Sequence, residues 1–334
     1  MKITLTATLL VGLTASHAAA DTLSAKVKAA QQSGGSTWLA WSVPSNIEGV
    51  ACCWNGRQGR HTDSCSLASD NFGLNMSGDD GRPSDTAVTV YAHVQGAAID
   101  KIRLFSNSCR VDRGAEAVQE IAGIAPSESV SVLEALAKEA LDDRSGKRRG
   151  DGAVMAIALH DDASADPALE RIAKDGGSKQ LRHSAAFWLG NVRERPGYDA
   201  LVRLRTSSDA SLREQLTFAF SQSKIPEASA TLIDMARNDP SPKVRGQAIF
   251  WIAQKAQKKS DTSVILAAVD DPDTGVKKQA VFALSQIPGG EGVPDLIRVA
   301  SENKNREVRK QAMFWLGQSK DPRALAFFER ILTQ

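Results

Sequence analysis

The chain has 334 residues, of which 42% are hydrophobic and 24% charged, and its formal net charge at pH 7 is +2. The length suggests two or more domains, and the composition is typical of an ordered protein and excludes a largely disordered chain. A net charge close to zero provides no long-range attraction toward polyanions, so we predict no nucleic-acid partner.

The first twenty residues have the pattern of a secretory signal peptide. Lys2 precedes an apolar run from Ile3 to Leu13, and three consecutive alanines offer a cleavage site before Asp21. The apolar run is shorter than the roughly 20 residues needed to cross a bilayer. We therefore predict residues 1–20 as a signal peptide, no membrane-spanning segment, and export to the periplasm or the extracellular space.

Four cysteines lie in the first third of the chain: Cys52, Cys53, Cys65 and Cys109. An even number confined to one region of an exported protein predicts two disulfides. Adjacent cysteines are not expected to bond each other, so one of Cys52 and Cys53 pairs with Cys65 and the other with Cys109. Both arrangements stay open. A zinc site is the alternative, but the paired C-x-x-C spacing of structural zinc is absent.

Residues 21–112 are predicted to form a small β-rich domain held by these disulfides. After a short helical piece, the β-favouring run Thr37–Val43 and the alternating run Ala87–Gly96 predict two strands, and a partner strand follows Gly96. Of its two histidines, His61 and His93, neither has a spacing that suggests catalysis. We expect both to lie at the surface or to pack across strands.

Residues 113–146 are predicted to be a helical bridge that caps the following repeats. Gly114–Ile124 and the segment after Pro126 both follow a helical period, and the second forms one apolar stripe. A terminal unit of a stacked array must present a more polar outer face, which suits this position.

One segment, Lys243–Gln254 (KVRGQAIFWIAQ), recurs through the C-terminal half. The copies begin 31, 32, 32 and 32 residues apart, at Leu181, Leu212, Val244, Val276 and Val308. The first, fifth and ninth positions of each copy are apolar and lie on one side of a helix, and an amphipathic second helix follows. With a degenerate earlier copy, residues 147–334 hold about six repeats with a period of about 32, which predicts an α-solenoid.

The pattern Val-Arg-x-x-Ala-x-x-x-Leu-(Gly/Ser), followed by an acidic turn and a Leu/Ile-rich second helix, resembles the short bacterial HEAT-like repeats of the bilin-lyase-like class. The resemblance covers about 147–334 and implies a HEAT-like α-solenoid that holds a protein partner on an extended surface. The predicted fold class is therefore α+β in two parts: a small disulfide-stapled β-rich N-terminal domain followed by an all-α HEAT-like α-solenoid.

The second position of every clear copy is basic. We interpret this ladder as structural, with each cation reaching turn acids such as Asp239 and Asp271 of the adjoining unit, and a ligand-binding ladder is the alternative. Its members are Arg182, Arg213, Arg245, Lys277 and Arg309.

The seventh position is phenylalanine in all five copies. Glutamines occupy the fourth and eleventh positions of the last four copies, and tryptophan occupies the eighth position of alternate copies. If this stripe faces solvent, it is a candidate partner-binding surface. If it faces the next repeat, it is interlocking core, which is the interpretation we favour. The candidate residues are Gln247, Phe250, Trp251, Gln254, Gln279, Phe282, Gln286, Gln311, Phe314, Trp315 and Gln318.

These features predict a non-enzymatic, exported interaction protein with a protein partner, no catalytic residue, no cofactor and no metal. The oligomeric state stays open. One alternative is a HEAT-type lyase or metal-dependent enzyme, but His-Glu pairs like those of deoxyhypusine hydroxylase are absent, and His160-Asp161-Asp162 is the one histidine-carboxylate cluster. The other is cell-wall or carbohydrate binding by N-terminal aromatics such as Trp38, Trp41, Trp54 and Tyr91.

Overall fold

A computed structural model describes residues 22–47, 50–55, 60–61, 65–69, 74–77, 86–139, 144–255 and 259–333. The predicted signal peptide lies outside these residues. Within them, no helix has the length and apolar character needed to span a bilayer.

The N-terminal part consists of one helix and nine strands in the described residues. They are α1 Leu23–Gln32, β1 Ser36–Pro44, β2 Val50–Asn55, β3 Arg60–His61, β4 Cys65–Ser66, β5 Leu74–Ser77, β6 Ala87–Gln95, β7 Ala98–Ser106, β8 Val111–Asp112 and β9 Val118–Glu120. The main sheet has the order β7-β6-β1-β9, with β6 antiparallel to both of its neighbours and β9 parallel to β1. A tight turn at Gly96, whose φ of 61° favours glycine, joins β6 to β7.

The segment Gly114–Ile124 is not a helix, so the helical prediction for it is wrong. It contains β9, which pairs with β1 through a register that sets Val118 opposite Trp38. Gly114 and Gly123 adopt φ angles of 65° and 74°, which interrupt a helix at both ends of the segment. Pairing with the free edge of β1 outweighs the weak local helical preference, and the sheet therefore extends beyond residue 112.

Both faces of the main sheet are covered. One face carries the alternating valines of β6 and packs against helices. The other carries Trp38, Tyr91 and Phe105, which pack against the half-cystines. A disulfide joins Cys52 to Cys109 with a Cα–Cα distance of 5.8 Å, which is one of the two pairings left open above.

Cys65 is also disulfide-bonded. The side chain of Cys53 lies outside the described residues.

The rest of the described chain is helical. The helices are α2 Pro126–Lys138, α3 Arg144–Leu159, α4 Ala165–Asp175, α5 Lys179–Val192, α6 Glu194–Leu204, α7 Ala210–Gln222, α8 Glu227–Asn238, α9 Pro242–Lys255, α10 Lys259–Ala267, α11 Thr274–Ser285, α12 Val293–Glu302, α13 Arg306–Gln318 and α14 Pro322–Leu332. Short 3-10 turns lie at Ala268–Asp270 and Pro288–Gly290. The five copies of the motif form α5, α7, α9, α11 and α13, which we call the first helices. The helix after each is its second helix.

The first helices pack through the predicted seam. In α9, Val244, Ala248 and Ile252 are buried, and their equivalents in the other copies are buried as well. A Cβ at Gly292 would overlap the carbonyl oxygen of Leu284, so glycine permits the second helix to cross close to the first. One hydrophobic core continues from the helix-covered face of the sheet through these seams to α14.

Candidate functional site

The seventh-position phenylalanines lie on one surface formed by the first helices. We call this surface the aromatic face, and it also includes the glutamines of the fourth position and the tryptophans of the eighth. The four phenylalanines from α5 to α11 are half-buried, whereas Phe314 on α13 is 54% exposed. Each phenylalanine side chain is therefore partly buried and partly accessible to solvent.

The rings of the aromatic face contact one another from repeat to repeat. Phe187 stacks on Phe218 with ring centroids 5.7 Å apart, and Phe250 stacks on Phe282 at 6.2 Å. Trp251 lies 4.6 Å from Phe218 by the same measure and fills the step between the two stacks. The two interpretations offered by the sequence are thus combined: the stripe packs between repeats and still presents ring surface to solvent.

A cleft of about 220 Å³ opens on this face between α5, α7 and α9. Its lining residues are Lys179, His183, Phe187, Glu214, Gln215, Phe218, Gln247 and Trp251. The cleft is mainly aromatic and amide in character, with one cation and one carboxylate at its edge. Such a lining suits a partner that offers both apolar groups and backbone amides.

Three side chains of the cleft carry polar atoms with no hydrogen-bond partner among the described residues. These atoms are Nε2 of His183, Oε1 of Gln215 and Nε1 of Trp251. The same holds for Nε1 of Trp315, two repeats further on. A buried polar group without a partner costs about 1–3 kcal/mol, so four of them along one surface are a departure from ordinary packing.

The charge state of His183 is set by its surroundings. Burial, together with the nearby charges of Lys179 and Arg182, lowers the pKa of its imidazole. The ring is therefore neutral at pH 7 and offers one donor and one acceptor nitrogen.

The remaining candidate glutamines divide into two groups. Gln247, Gln279 and Gln311 are half-buried along the aromatic face. The eleventh-position glutamines are exposed near the C-terminal ends of their helices, outside the lining of the cleft. They are Gln254, Gln286 and Gln318.

The basic ladder lies at the turns between repeats. Arg213 makes a two-pronged ion pair with Asp239, at 2.8 and 3.0 Å, and Arg245 makes the same pair with Asp271, at 2.8 Å for both bonds. Each of these arginines also donates to a carbonyl six residues earlier in its own turn. The two pairs are almost completely buried, and each connects the first helix of a repeat to the turn that leads into the next repeat.

The other ladder members use part of this pattern. Arg182 donates to the carbonyl of Gly176 at 2.9 Å, and Arg309 donates to that of Asn303 at 2.7 Å. Lys277 contributes a favourable charge near Asp271.

The acids of the two ion pairs have lowered pKa values. For Asp239 and Asp271, burial alone would raise the pKa, but hydrogen bonds from the arginine and from a backbone N–H, with the arginine charge, lower it by more. Both carboxylates are therefore ionised at neutral pH and remain in their pairs.

The structure assembles a Ser-His-Asp order that the sequence spacing did not suggest. Ser36 Oγ lies 3.1 Å from His93 Nε2, and His93 Nδ1 lies 2.5 Å from Asp100 Oδ1. However, Glu116 accepts a hydrogen bond from the Ser36 hydroxyl at 2.8 Å and lies 2.9 Å from the same His93 nitrogen. A nucleophilic serine donates its hydrogen bond to the histidine, but here the Ser36 hydroxyl donates to Glu116, which also contacts the same nitrogen of His93. We therefore interpret the cluster as a structural link between the turn before β9 and the sheet.

His160 is also structural. Its Nδ1 donates to the carbonyl of Ala156 at 2.6 Å, and its Nε2 lies 2.8 Å from the hydroxyl of Ser129, which accepts from the indole N–H of Trp41 at 2.7 Å. This fully buried chain joins β1, α2 and the end of α3, and burial lowers the pKa of His160. No metal-binding cluster of three or more His, Cys, Asp or Glu occurs among the described residues.

The repeat motif does not predict the buried ion pair made by an arginine at the end of α5. Arg193 makes a two-pronged ion pair with Asp166, at 2.7 and 2.9 Å, and donates to the carbonyl of His160 at 2.6 Å. Its partners lie about thirty residues away in sequence, so only the folded repeats bring them together.

The N-terminal aromatics do not form a stacking surface for a sugar. Trp38, Trp41 and Tyr91 are buried. The side chain of Trp54 lies outside the described residues.

Paired antiparallel helices stacked through a shared core define a helical repeat protein. A family model described as HEAT repeats matches residues 229–291 and 262–334, so this part of the chain carries HEAT repeats. No curated protein matches the sequence.

Solved structures with similar helical arrays include a condensin subcomplex from S. pombe, with a TM-score of 0.38, 17% identity and coverage of 57% of this chain and 28% of that chain. YibA from Escherichia coli has a TM-score of 0.36 at 19% identity, with 61% and 76% covered. The CpcE–CpcF phycocyanin lyase complex from Nostoc sp. PCC7120 has a TM-score of 0.31 at 14% identity, with 61% and 86% covered. At these scores the likeness carries no argument about function.

Proposed function

We propose that this protein is a non-enzymatic, exported interaction protein that binds an extended segment of a protein partner along the aromatic face. The observation that carries the proposal is the line of half-buried rings that contact one another, stacked or tilted, across consecutive repeats. A surface with this periodicity matches a ligand that is itself extended and repeats its contacts along its length.

The unpartnered polar atoms support a peptide rather than a purely apolar ligand. The indole N–H groups of Trp251 and Trp315 need acceptors, and Oε1 of Gln215 needs a donor. An extended backbone supplies both carbonyl acceptors and N–H donors at short intervals. Small rotations of these side chains would bring their polar atoms to the ligand, and binding would remove the cost of leaving them unpaired.

Two observations support export as part of the proposal. Residues 1–20 have the composition of a signal peptide. The Cys52–Cys109 disulfide is of the kind that persists in oxidising compartments.

Site-specific photo-cross-linking tests this proposal. A photoreactive residue replaces Gln247, which lines the cleft, and in the control it replaces Ala230, which is exposed on α8. Each protein is exposed to the envelope fraction of its source, and the cross-linked peptides are sequenced. We expect one protein, attached through one extended segment, from the Gln247 position alone. Equal capture from both positions, or capture from neither, would overturn the proposal.

A further inference from the structure

The cleft between α5, α7 and α9 has the size of a single large side chain. Its volume is about 220 Å³, whereas clefts for small-molecule ligands typically measure about 300–1,000 Å³. Phe187 and Phe218 form a stacked wall with 5.7 Å between ring centroids, and Trp251 lies 4.6 Å from Phe218. Three rings around a small opening favour an occupant with a flat ring of its own, because ring pairs contribute beyond the area that they bury.

The unpartnered polar atoms of the cleft require an occupant that both donates and accepts a hydrogen bond. The indole N–H of Trp251 needs an acceptor. The amide nitrogen of Gln215 donates to Ser211 Oγ at 3.4 Å, and its unpartnered Oε1 needs a donor. Nε2 of His183 takes either role, since a neutral imidazole carries one donor and one acceptor nitrogen. A hydroxyl meets both needs, because its O–H donates while its oxygen accepts.

The charges around the cleft disfavour a charged occupant. Lys179 and Glu214 both line the cleft, so a buried cation or anion would lose hydration and meet one charge of its own sign. Lysine and arginine side chains offer donors alone, and carboxylates offer acceptors alone. Neither kind pairs with both Trp251 and Gln215, and the side chain that fits the cleft is therefore neutral.

Among the neutral side chains, tyrosine joins a six-membered ring to a hydroxyl. Phenylalanine brings the ring and leaves the polar atoms of the cleft unpaired. Serine and threonine bring the hydroxyl without a ring, and asparagine and glutamine bring an amide without one. Tryptophan offers a donor alone, and neutral histidine has a smaller ring to set against the aromatic wall. Tyrosine is thus the side chain that matches both the rings and the unpartnered atoms.

Part of this arrangement recurs two repeats later. Trp315 lies 5.0 Å from Phe282, its indole N–H is also unpartnered, and Gln279 holds the fourth motif position there. The motif position of His183 in the cleft is occupied by Gly246 in this second set. The repeat motif therefore supplies the tryptophan and the glutamine, whereas the imidazole is particular to the cleft.

From these observations we propose that the cleft binds a tyrosine side chain of the partner segment, with the tyrosine ring against Phe187 and Phe218. Its hydroxyl accepts from the indole N–H of Trp251 and donates to Oε1 of Gln215, after the side-chain rotations that the proposed function already requires. The tyrosine fixes the register of the segment along the aromatic face. This preference rests on the proposed function, which supplies the segment that carries the tyrosine.

Nuclear magnetic resonance on the full chain, with its disulfides intact, tests the preference with short synthetic peptides. The probes are acetyl-Gly-Ser-Thr-X-Thr-Ser-Gly-amide, in which X is tyrosine, phenylalanine, histidine, glutamine or lysine. Two-dimensional proton–nitrogen spectra follow the indole N–H signals, and the variant Trp251→Phe identifies the signal of Trp251. The variant Gln215→Met removes the acceptor in the cleft, and Gln222→Met makes the same change on α7 outside the cleft lining. Thermal unfolding verifies that all variants keep the fold.

The tyrosine peptide is expected to shift the Trp251 signal saturably, with a Kd at least about tenfold below that of every other peptide, because the others leave polar atoms unpaired, meet a like charge or cover less ring surface. Gln215→Met should reduce the preference for tyrosine over phenylalanine by about threefold or more, and Gln222→Met should retain it. Equal affinity for the tyrosine and phenylalanine peptides, no binding of the tyrosine peptide, or binding that leaves the Trp251 signal unchanged would each overturn the proposal.

The cross-linking experiment separates failure of this preference from failure of the proposed function. Capture of one extended segment at Gln247 that contains no tyrosine would overturn the tyrosine preference and leave the proposed function standing. Selective binding of the tyrosine peptide without site-specific capture of a protein would support the preference of the cleft and count against the proposed function.

Discussion

The buried ion pair between Arg245 and Asp271 makes a sharp prediction about how the repeats hold together. The substitution Arg245→Met keeps most of the apolar stem of the side chain and removes the guanidinium. Asp271 then loses two hydrogen bonds of 2.8 Å while it stays about nine-tenths buried. Among the described residues, the backbone N–H of Asp273, at 2.8 Å, is then its remaining hydrogen-bond partner.

Leaving one member of a buried pair uncompensated costs about 3–5 kcal/mol. The remaining backbone hydrogen bond offsets part of this, so we expect a loss near 3 kcal/mol in the free energy of unfolding. The matched control is Arg309→Met, because Arg309 occupies the same motif position and its hydrogen bonds among the described residues go to the carbonyls of Asn303 and Lys304. Its loss should stay below about 1.5 kcal/mol.

Urea unfolding followed by circular dichroism measures both losses, and hydrogen exchange locates them. Since each repeat of a solenoid contacts only its neighbours, exchange should accelerate first in α9 and α11. The double variant Arg245→Met/Asp271→Leu should recover most of the stability, because the uncompensated charge is gone. Equal losses in the two single variants, or no recovery in the double variant, would refute the reasoning.

Three further predictions concern buried groups. Because the pKa values of Asp239 and Asp271 are lowered in the folded protein, both carboxylates stabilise the fold fully above the ordinary carboxyl pKa of about 4. This stabilisation is lost as the pH falls through the lowered pKa values, so the Tm should drop steeply in acid. Ser129→Ala leaves the indole N–H of Trp41 and Nε2 of His160 without partners in a fully buried site, and urea unfolding should register a loss of about 2–4 kcal/mol. Ile249→Ala should cost about 2–4 kcal/mol by the same measurement. Met313→Ala, at the same motif position but exposed, should cost below about 1 kcal/mol.

Each of these three predictions would be contradicted by a different result. A Tm that does not change between neutral pH and acid would mean that the turn acids contribute nothing. A Ser129→Ala protein as stable as the parent would mean that the buried hydrogen-bond chain contributes nothing measurable to the free energy of unfolding. Similar losses at Ile249 and Met313 would contradict the link between burial at this motif position and stability.

The repeat region was largely predictable because its signal is local and recurs five times. The seam positions of KVRGQAIFWIAQ follow from helical geometry alone, and Val244, Ala248 and Ile252 lie buried as that geometry requires. The half-burial of the phenylalanines could not be predicted in the same way. It depends on the distance between neighbouring first helices, which small residues such as Gly190 set.

The N-terminal part was less predictable because its decisive contacts join distant residues. Strand β9 forms where β1 offers an unpaired edge, and no local pattern in residues 114–124 marks it. The polar chain from Trp41 through Ser129 to His160 unites three separate elements. In each case tertiary contact outweighs local preference, and a single sequence does not reveal which distant partner a residue meets.

The central claim, that a partner binds along the aromatic face, is tested most directly by titration calorimetry with the segment identified by cross-linking. The variant Gln279→Arg places a bulky charge on the aromatic face, and Ala230→Arg places the same group on α8 as a control. We expect the first to raise the Kd by more than about tenfold and the second to leave it unchanged, with thermal unfolding of both variants close to that of the parent. Equal affinities for the parent and the Gln279→Arg protein would contradict the claim.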